Sequence, residues 1–192
     1  MTATTLITAQ DLWDMPEVPG SRLELVNGVL VEMPTASLYH NLIAFLIGRL
    51  IESFASERDL GYTFVDGVSF VLRRDPDDVR GPDVSFLAKH RVTSIDMLLR
   101  PWDGAPDLAV EIISPNDRAA DIHDKISAYQ VAGTRLIWIV WPDARSITVY
   151  DARGTIGELR AGDILDGGDV LPGLSIDVAT DVATLFEVGP DS

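Results

Sequence analysis

Asp107-Leu108-Ala109-Val110-Glu111-Ile112-Ile113-Ser114-Pro115 is the stretch on which the fold turns. Bounded by Pro106 and Pro115, it reads as a strand buried on both faces, yet it carries one carboxylate among core residues. An ionised side chain is costly there without a partner, so Glu111 calls for a cation. The helix expected to follow supplies Lys125, and a second strand, Asp83-Val84-Ser85-Phe86-Leu87, opens with another acid after Gly81-Pro82. Two strand-borne carboxylates converging near a helical lysine would make a site for a divalent metal, with a general base or charge stabiliser beside it.

Length and composition narrow the chemistry. At 192 residues with 46% hydrophobic content, the chain suits a single domain spanning 1–192 with a sizeable core. It has no cysteine, which excludes disulfides, thiolate zinc sites and cysteine nucleophiles and leaves hard-cation or histidine chemistry. No basic segment followed by an apolar run suggests export, and the longest apolar helical segment, Leu42 to Phe54, is too short and too charged to span a bilayer. The expectation is a cytoplasmic protein without a membrane partner. The net charge of −15 argues against a general polyanion binder. From Arg73 to Arg100 the charges nearly balance, which makes that segment the least acidic and not a basic patch.

Along the chain, Thr8-Ala9-Gln10-Asp11 reads as a capping box ahead of a short helix. Arg22 to Val26 and Val29 to Met33 flank Asn27-Gly28, a hairpin signal. Leu42, Ile43, Leu46, Ile47, Leu50, Ile51 and Phe54 recur at helical spacing between Ser37 and about Arg58. Strands are expected over 61–66, 68–72 and 83–87, with 73–80 as a loop and 88–105 as a mobile connection. Ser114 to Asp117 offer caps for a helix that Gly133 would stop, and that helix carries Ile122, Ile126 and Tyr129 on one face with Lys125 on or beside the stripe. Arg135 to Trp141 then returns as a strand parallel to 108–112, with 146–151 as its antiparallel partner. Glycine-punctuated short strands follow, ending in a small segment over 182–186.

Arg22-Leu23-Glu24-Leu25-Val26-Asn27-Gly28, Gly81-Pro82-Asp83-Val84, Pro106 to Pro115, Asp121 with Asp124-Lys125 and Tyr129, Trp138-Ile139-Val140 and Pro172-Gly173-Leu174, in this order, resemble the Uma-two family of restriction-endonuclease-like proteins. That family is placed in the PD-(D/E)xK nuclease superfamily. The resemblance implies an α/β (α+β) fold, a restriction-endonuclease-like core in which a central mixed sheet is flanked by helices. It also implies a magnesium-dependent endonuclease acting on DNA, with manganese as a substitute. Asp83 and Glu111 would bind the metal with the carbonyl of Ile112, and Lys125 would orient or deprotonate the attacking water. Glu24 would then be a further member of the site. The fold's habits leave room for a homodimer. At Ile113 the chain departs from the superfamily, whose second motif has lysine there; Lys125, one helix later, would take that role.

Each residue has a plainer reading. Lys125 could pair with Asp121 on the helix surface, an interaction worth about 0.3–0.5 kcal/mol. Arginine supplies thirteen of the fifteen basic residues, however, so a lysine here suggests a place where a compact amine is wanted. Asp83 could cap a turn, Glu111 could form a buried pair with an arginine, Glu24 could be an exposed strand acid, and His40, which could touch substrate, could equally be a capping or half-buried histidine. His90 and His123 show no ligand spacing, and Trp138 and Trp141 read as core. The functional alternative is a non-catalytic binding or regulatory protein on a nuclease fold, consistent with the net acidity and the displaced lysine.

Overall fold

A computed structural model of the chain describes residues 6–16, 21–66, 68–154 and 156–178. Thr8 caps helix α1 (Ala9–Asp14) with the reciprocal bonds expected of a capping box. Strands β1 (Arg22–Val26) and β2 (Val29–Met33) pair antiparallel across Asn27 and Gly28. Both turn residues have positive φ, 53° and 75°, the left-handed backbone that a two-residue hairpin of matching twist requires. Ser37 caps α2 (Leu38–Glu57), whose Ile43, Ile47 and Ile51 are 0–1% exposed. Burial of each stabilises by roughly 2 kcal/mol, so the core, and not exposed pairs such as Arg58 with Glu57, holds this helix.

The middle of the chain is mostly strand. β3 (Gly61–Val65), β4 (Phe70–Arg73), β5 (Asp78–Arg80) and β6 (Val84–Ala88) follow in sequence. Residues 73–80, expected as loop, thus contain β5, a short strand that pairs with both β1 and β4. Its charged side chains conceal it in the sequence: Asp78 and Arg80 are buried because they neutralise each other at 2.7 Å. The connection over 88–105 is also ordered into secondary structure, with 3-10 turns at Lys89–Arg91 and Ile95–Leu98 and a short strand, β7 (Trp102–Asp103), parallel to β4.

The central run is β8 (Leu108–Ile112), antiparallel to β6 and parallel to β9 (Leu136–Trp141). Between β8 and β9 lies α3 (Ala119–Ala132), ended by Gly133 at φ 94°. Its cap position is Arg118, without a side-chain cap, because Asp117 instead turns back to accept from the Ser114 amide at 2.7 Å. β10 (Ser146–Asp151) pairs antiparallel with β9, and β11 (Ile156–Leu159), β12 (Ile164–Asp166) and β13 (Ser175–Asp177) complete the described chain. The expected segment over 182–186 lies outside the described residues.

Two large sheets result, one ordered β11-β10-β9-β8-β6-β3 and mixed, the other β2-β1-β5-β4-β7. Strand alternation gives the mixed sheet two buried faces. Leu108, Val110 and Ile112 meet α2 and the β12–β13 region, whereas Ala109, Ile137 and Ile139 meet α3 and Phe70 and Leu72 of the second sheet. Glu111 shares the parity of Ala109, so its side chain belongs to the layer between α3 and the second sheet.

Asp107 clamps the opposite end of the central strand. Its carboxylate accepts from the Ala88 amide at 2.8 Å and pairs with Arg91 and Arg135, each at 3.0 Å. Asp107→Ala would leave a buried amide unsatisfied and remove the counter-charge to both guanidinium groups. We expect a loss of about 2–4 kcal/mol in urea unfolding, against little change for Asp124→Ala on the exposed face of α3.

Candidate active site

The acids singled out in the sequence converge with basic partners where the two sheets approach each other. Glu111 Oε1 accepts from the Tyr129 hydroxyl at 2.7 Å, and Oε2 accepts from Lys125 Nζ at 2.9 Å. Lys125 and Tyr129 stand four residues apart on α3, so one helical face delivers both to the same carboxylate. The lysine ammonium also lies 3.4 Å from Glu24 Oε1, which ties the hairpin of the second sheet to the central strand. Glu24 is itself buried, with Oε1 accepting from the Gly81 amide at 3.0 Å and Oε2 lying 3.5 Å from Arg80 Nη1.

Asp83 completes the arrangement. Its Oδ2 accepts from the Ile112 amide at 2.8 Å and stands 3.2 Å from His40 Nε2. Because Ile112 follows Glu111 in β8, that amide bond fixes Asp83 beside the Glu111 strand end. Arg22 spans the remaining space, with Nη1 3.8 Å from Asp83 and 2.9 Å from Asp66, and Nη2 3.7 Å from Glu24. The polar groups open into a cleft of about 1740 Å³.

The electrostatics follow from burial and these partners. Burial pushes the Glu111 carboxyl up from an ordinary value of 4.5 to about 7, with Asp83 and Glu24 adding repulsion and Lys125 and Tyr129 opposing. Burial works against the Lys125 charge, but Glu111, Glu24 and Asp83 outweigh it and raise its pKa. These acids thus favour the ammonium form of Lys125. Burial likewise opposes the charge on Asp83, yet His40, Lys125 and the Ile112 amide hold its pKa below the ordinary value. His40 is raised in return: desolvation is overcome by Asp83 and by the Ile112 backbone.

By donor type alone, the carboxylate oxygens of Asp83, Glu111 and Glu24 are of the kind that a hard divalent cation takes. One of these oxygens, Glu24 Oε2, is buried without a hydrogen bond. Among the described residues, however, no three His, Asp or Glu side chains stand close enough together to hold a metal ion. Lys125 and Arg22 occupy the places between the acids.

The surface-pair reading of Lys125 fails, because Asp121 is exposed and the lysine turns to Glu111 and Glu24 instead. Glu24 is not an exposed strand acid, Glu111 pairs with lysine and not arginine, and Asp83 reaches across to β8 instead of capping its own turn. His40 is both: its amide bonds the Ser37 cap at 3.1 Å and its ring faces Asp83. Sequence reasoning misses the roles of Arg22, Arg80 and the Tyr129 hydroxyl. Tyr129 has a readable signal in its four-residue spacing from Lys125, whereas Arg22 and Arg80 lie in strands whose mutual approach no local pattern encodes.

Comparison with known proteins agrees with this architecture. The family Uma2, described as "Putative restriction endonuclease", matches residues 9–179. The crystal structure of a putative nuclease belonging to DUF820 from Anabaena variabilis superposes with a TM-score of 0.80 at 18% identity, covering 93% of this chain and 99% of that one. At that identity the likeness concerns the fold. No curated protein matches the sequence.

The Glu111 shift has a stability signature. A carboxyl whose folded pKa is raised contributes stability that is fully present below its unfolded pKa and lost as pH rises through the folded value. In chelator, the parent should therefore lose stability relative to Glu111→Gln between about pH 4.5 and 7. Asp83 and His40 titrate in both proteins, so the difference reports on Glu111 and the charges coupled to it. Denaturant midpoints across this range test it, and parallel curves would contradict the assignment.

Proposed function

The chain belongs to the Uma2 family of putative restriction endonucleases, and from that membership we propose that it is a metal-dependent nuclease hydrolysing DNA phosphodiester bonds. The observation that most supports this reading is the buried Glu111–Lys125–Glu24 bridge, with Asp83 bonded to the residue that follows Glu111. Such a concentration of buried charge is costly for stability alone. Asp83, Glu111 and the Ile112 carbonyl would hold magnesium, or manganese in its place. The ion, when bound, supplies Lewis acidity toward water and phosphate.

The chain's own residues set the rest. Tyr129 fixes the orientation of Glu111 through its hydroxyl. Glu24 holds Lys125 together with Glu111, which leaves the ammonium as a fixed positive charge beside the place of reaction. In that position it orients the attacking water and stabilises charge developing on the phosphate, a role that needs no proton transfer to nitrogen. His40 and the Ile112 amide keep Asp83 ionised at neutral pH.

A second reading has its own observation. Arg22, Arg80 and Lys125 already counter Glu24, Asp83 and Glu111, so the site is close to neutral before any metal arrives. A protein that keeps the nuclease fold for binding or regulation could rest in this state. Thermal melting separates the two at the first step, since a ligand that binds only the folded form raises its stability. Magnesium should raise the melting temperature of the parent and not of Glu111→Gln; equal shifts in both would place the metal elsewhere.

Cleavage tests the lysine. Lys125→Arg should lower the magnesium-supported rate by roughly 100-fold or more, because the larger planar guanidinium cannot occupy the point between Glu111 and Glu24. Asp121→Ala should change the rate little. Circular dichroism would confirm each fold, and parent-like cleavage by Lys125→Arg would remove the lysine from the mechanism.

A further inference from the structure

The cleft that holds the acids has an aromatic residue at its rim that the chemistry above does not use. Trp13 lines it from α1 with 54% of its surface exposed. Its neighbour Leu12 packs into the small core formed by Ala9, Leu25, Val71 and Val79, so the helix itself is seated. Two further bonds hold α1 in place: the Ala9 amide donates to Asp77 Oδ2 at 2.7 Å, and the Ile7 amide donates to the Gly28 carbonyl at 2.8 Å. Met15 and Pro16 continue the apolar rim, and Met33 and Pro34 line the same cleft from the end of β2. The indole is therefore an exposed apolar face on a fixed support.

The charge on the cleft walls decides what could use that face. Beyond the site's own acids, Glu32, Asp66, Asp117, Asp121 and Asp124 line the cleft, against Arg118 beyond the site's own cations. The whole chain carries −15. Duplex DNA brings one charge for about every 1.7 Å of axis and draws its affinity mainly from basic residues on phosphates, which these walls do not offer. A single strand carries about half that linear charge and presents base faces that a duplex keeps stacked. Aromatic stacking needs no positive potential and no particular base.

Resting on the nuclease reading, we propose that the substrate engages this cleft as an unpaired DNA strand, with a base stacked on Trp13 while its phosphate backbone runs toward the acids. Of the four tryptophans, Trp13 alone is largely exposed, while Trp102 and Trp138 are buried and Trp141 is half-buried and donates to Thr148 at 2.9 Å. Intrinsic fluorescence thus reports on the proposed contact directly.

The experiment titrates the intact protein with a short oligothymidylate and with the same strand annealed to its complement. Calcium replaces magnesium to slow turnover, since it accepts the same oxygen ligands in looser geometry. The single strand should quench the tryptophan emission and bind at least about tenfold more tightly than the duplex. Trp13→Ala should weaken single-strand binding by about tenfold at an unchanged urea midpoint. Trp13→Phe should keep most of the affinity and lose the quenching. Equal affinity for single strand and duplex, or parent-like binding by Trp13→Ala, overturns the proposal, and magnesium-dependent cleavage that persists leaves the nuclease reading standing. Binding of neither form, with cleavage of neither, overturns both together.

Discussion

The arrangement depends on one carboxylate placed where the strand pattern has room only for core. Glu111 sits in one of the two central strands of a mixed sheet, at 6% exposure, and burial, its largest influence, leaves its carboxyl raised to about 7 once the neighbouring charges are included. Its counter-charge cannot come from β6 or β9, whose side chains on that face, Ser85, Leu87, Ile137 and Ile139, carry no charge. It comes from α3, which must therefore pack with Lys125 and Tyr129 toward the sheet. The rotation of α3 about its axis is thus set by charge and core together: Ile126 and Tyr129 fill the apolar layer while Lys125, on the same face, reaches the acid.

The same need joins the two sheets. Glu24 comes from the hairpin and pairs with Lys125, Arg22 comes from β1 and faces Asp83, and Arg80 comes from β5 and pairs with Glu24. Removing any one charge would strand its partner in a poorly hydrated layer, where the cost runs to about 3–5 kcal/mol. The proposed site is therefore also the seam between the sheets. Residues as far apart in sequence as 22 and 125 thus meet at one oxygen, Glu24 Oε1, at 3.7 and 3.4 Å. On the proposed function, a substitution here would act on fold and activity together, because the seam and the proposed chemistry share atoms.

Much of this architecture is legible in short stretches of sequence. Hydrophobic period marks α2, the central strand and its parallel neighbour, and the Asn27-Gly28 turn marks the hairpin, because each rests on neighbours in the chain. Glu111 and Lys125 stand out by a mismatch between residue and environment, which is also local information. What escapes is non-local. β5 is three residues long, and two of them, Asp78 and Arg80, look solvent-exposed until each is seen to bury the other. Arg22 and Arg80 look like the polar side of an edge, and only the approach of the second sheet turns them inward. Glu24 and the plainer readings of Asp83 and His40 stay open for the same reason, since burial by a distant element leaves no trace in local periodicity. Trp13 is hidden by the converse effect: on a short amphipathic helix an aromatic residue reads as core, and only the seating of Leu12 shows that it is not.

The near-neutrality of the site finally connects metal and lysine. Lys125 is held charged by Glu111, Glu24 and Asp83, which are the oxygens a divalent cation would seek. A cation drawn to Asp83 and Glu111 must share the field that now holds the ammonium, and it meets a Glu111 carboxyl that has to give up a proton near neutrality. Metal affinity, the ionisation of Glu111 and the hold on Lys125 are therefore faces of one charge balance and cannot be tuned separately. Arg22 and Arg80 enter that balance without touching the strand that carries Glu111: by satisfying Glu24 and Asp83 from the second sheet, they set how much negative potential is left for a metal. A substitution that weakens either guanidinium contact should make the remaining acids more attractive to cations and Lys125 more firmly protonated, while loosening the seam that keeps them together.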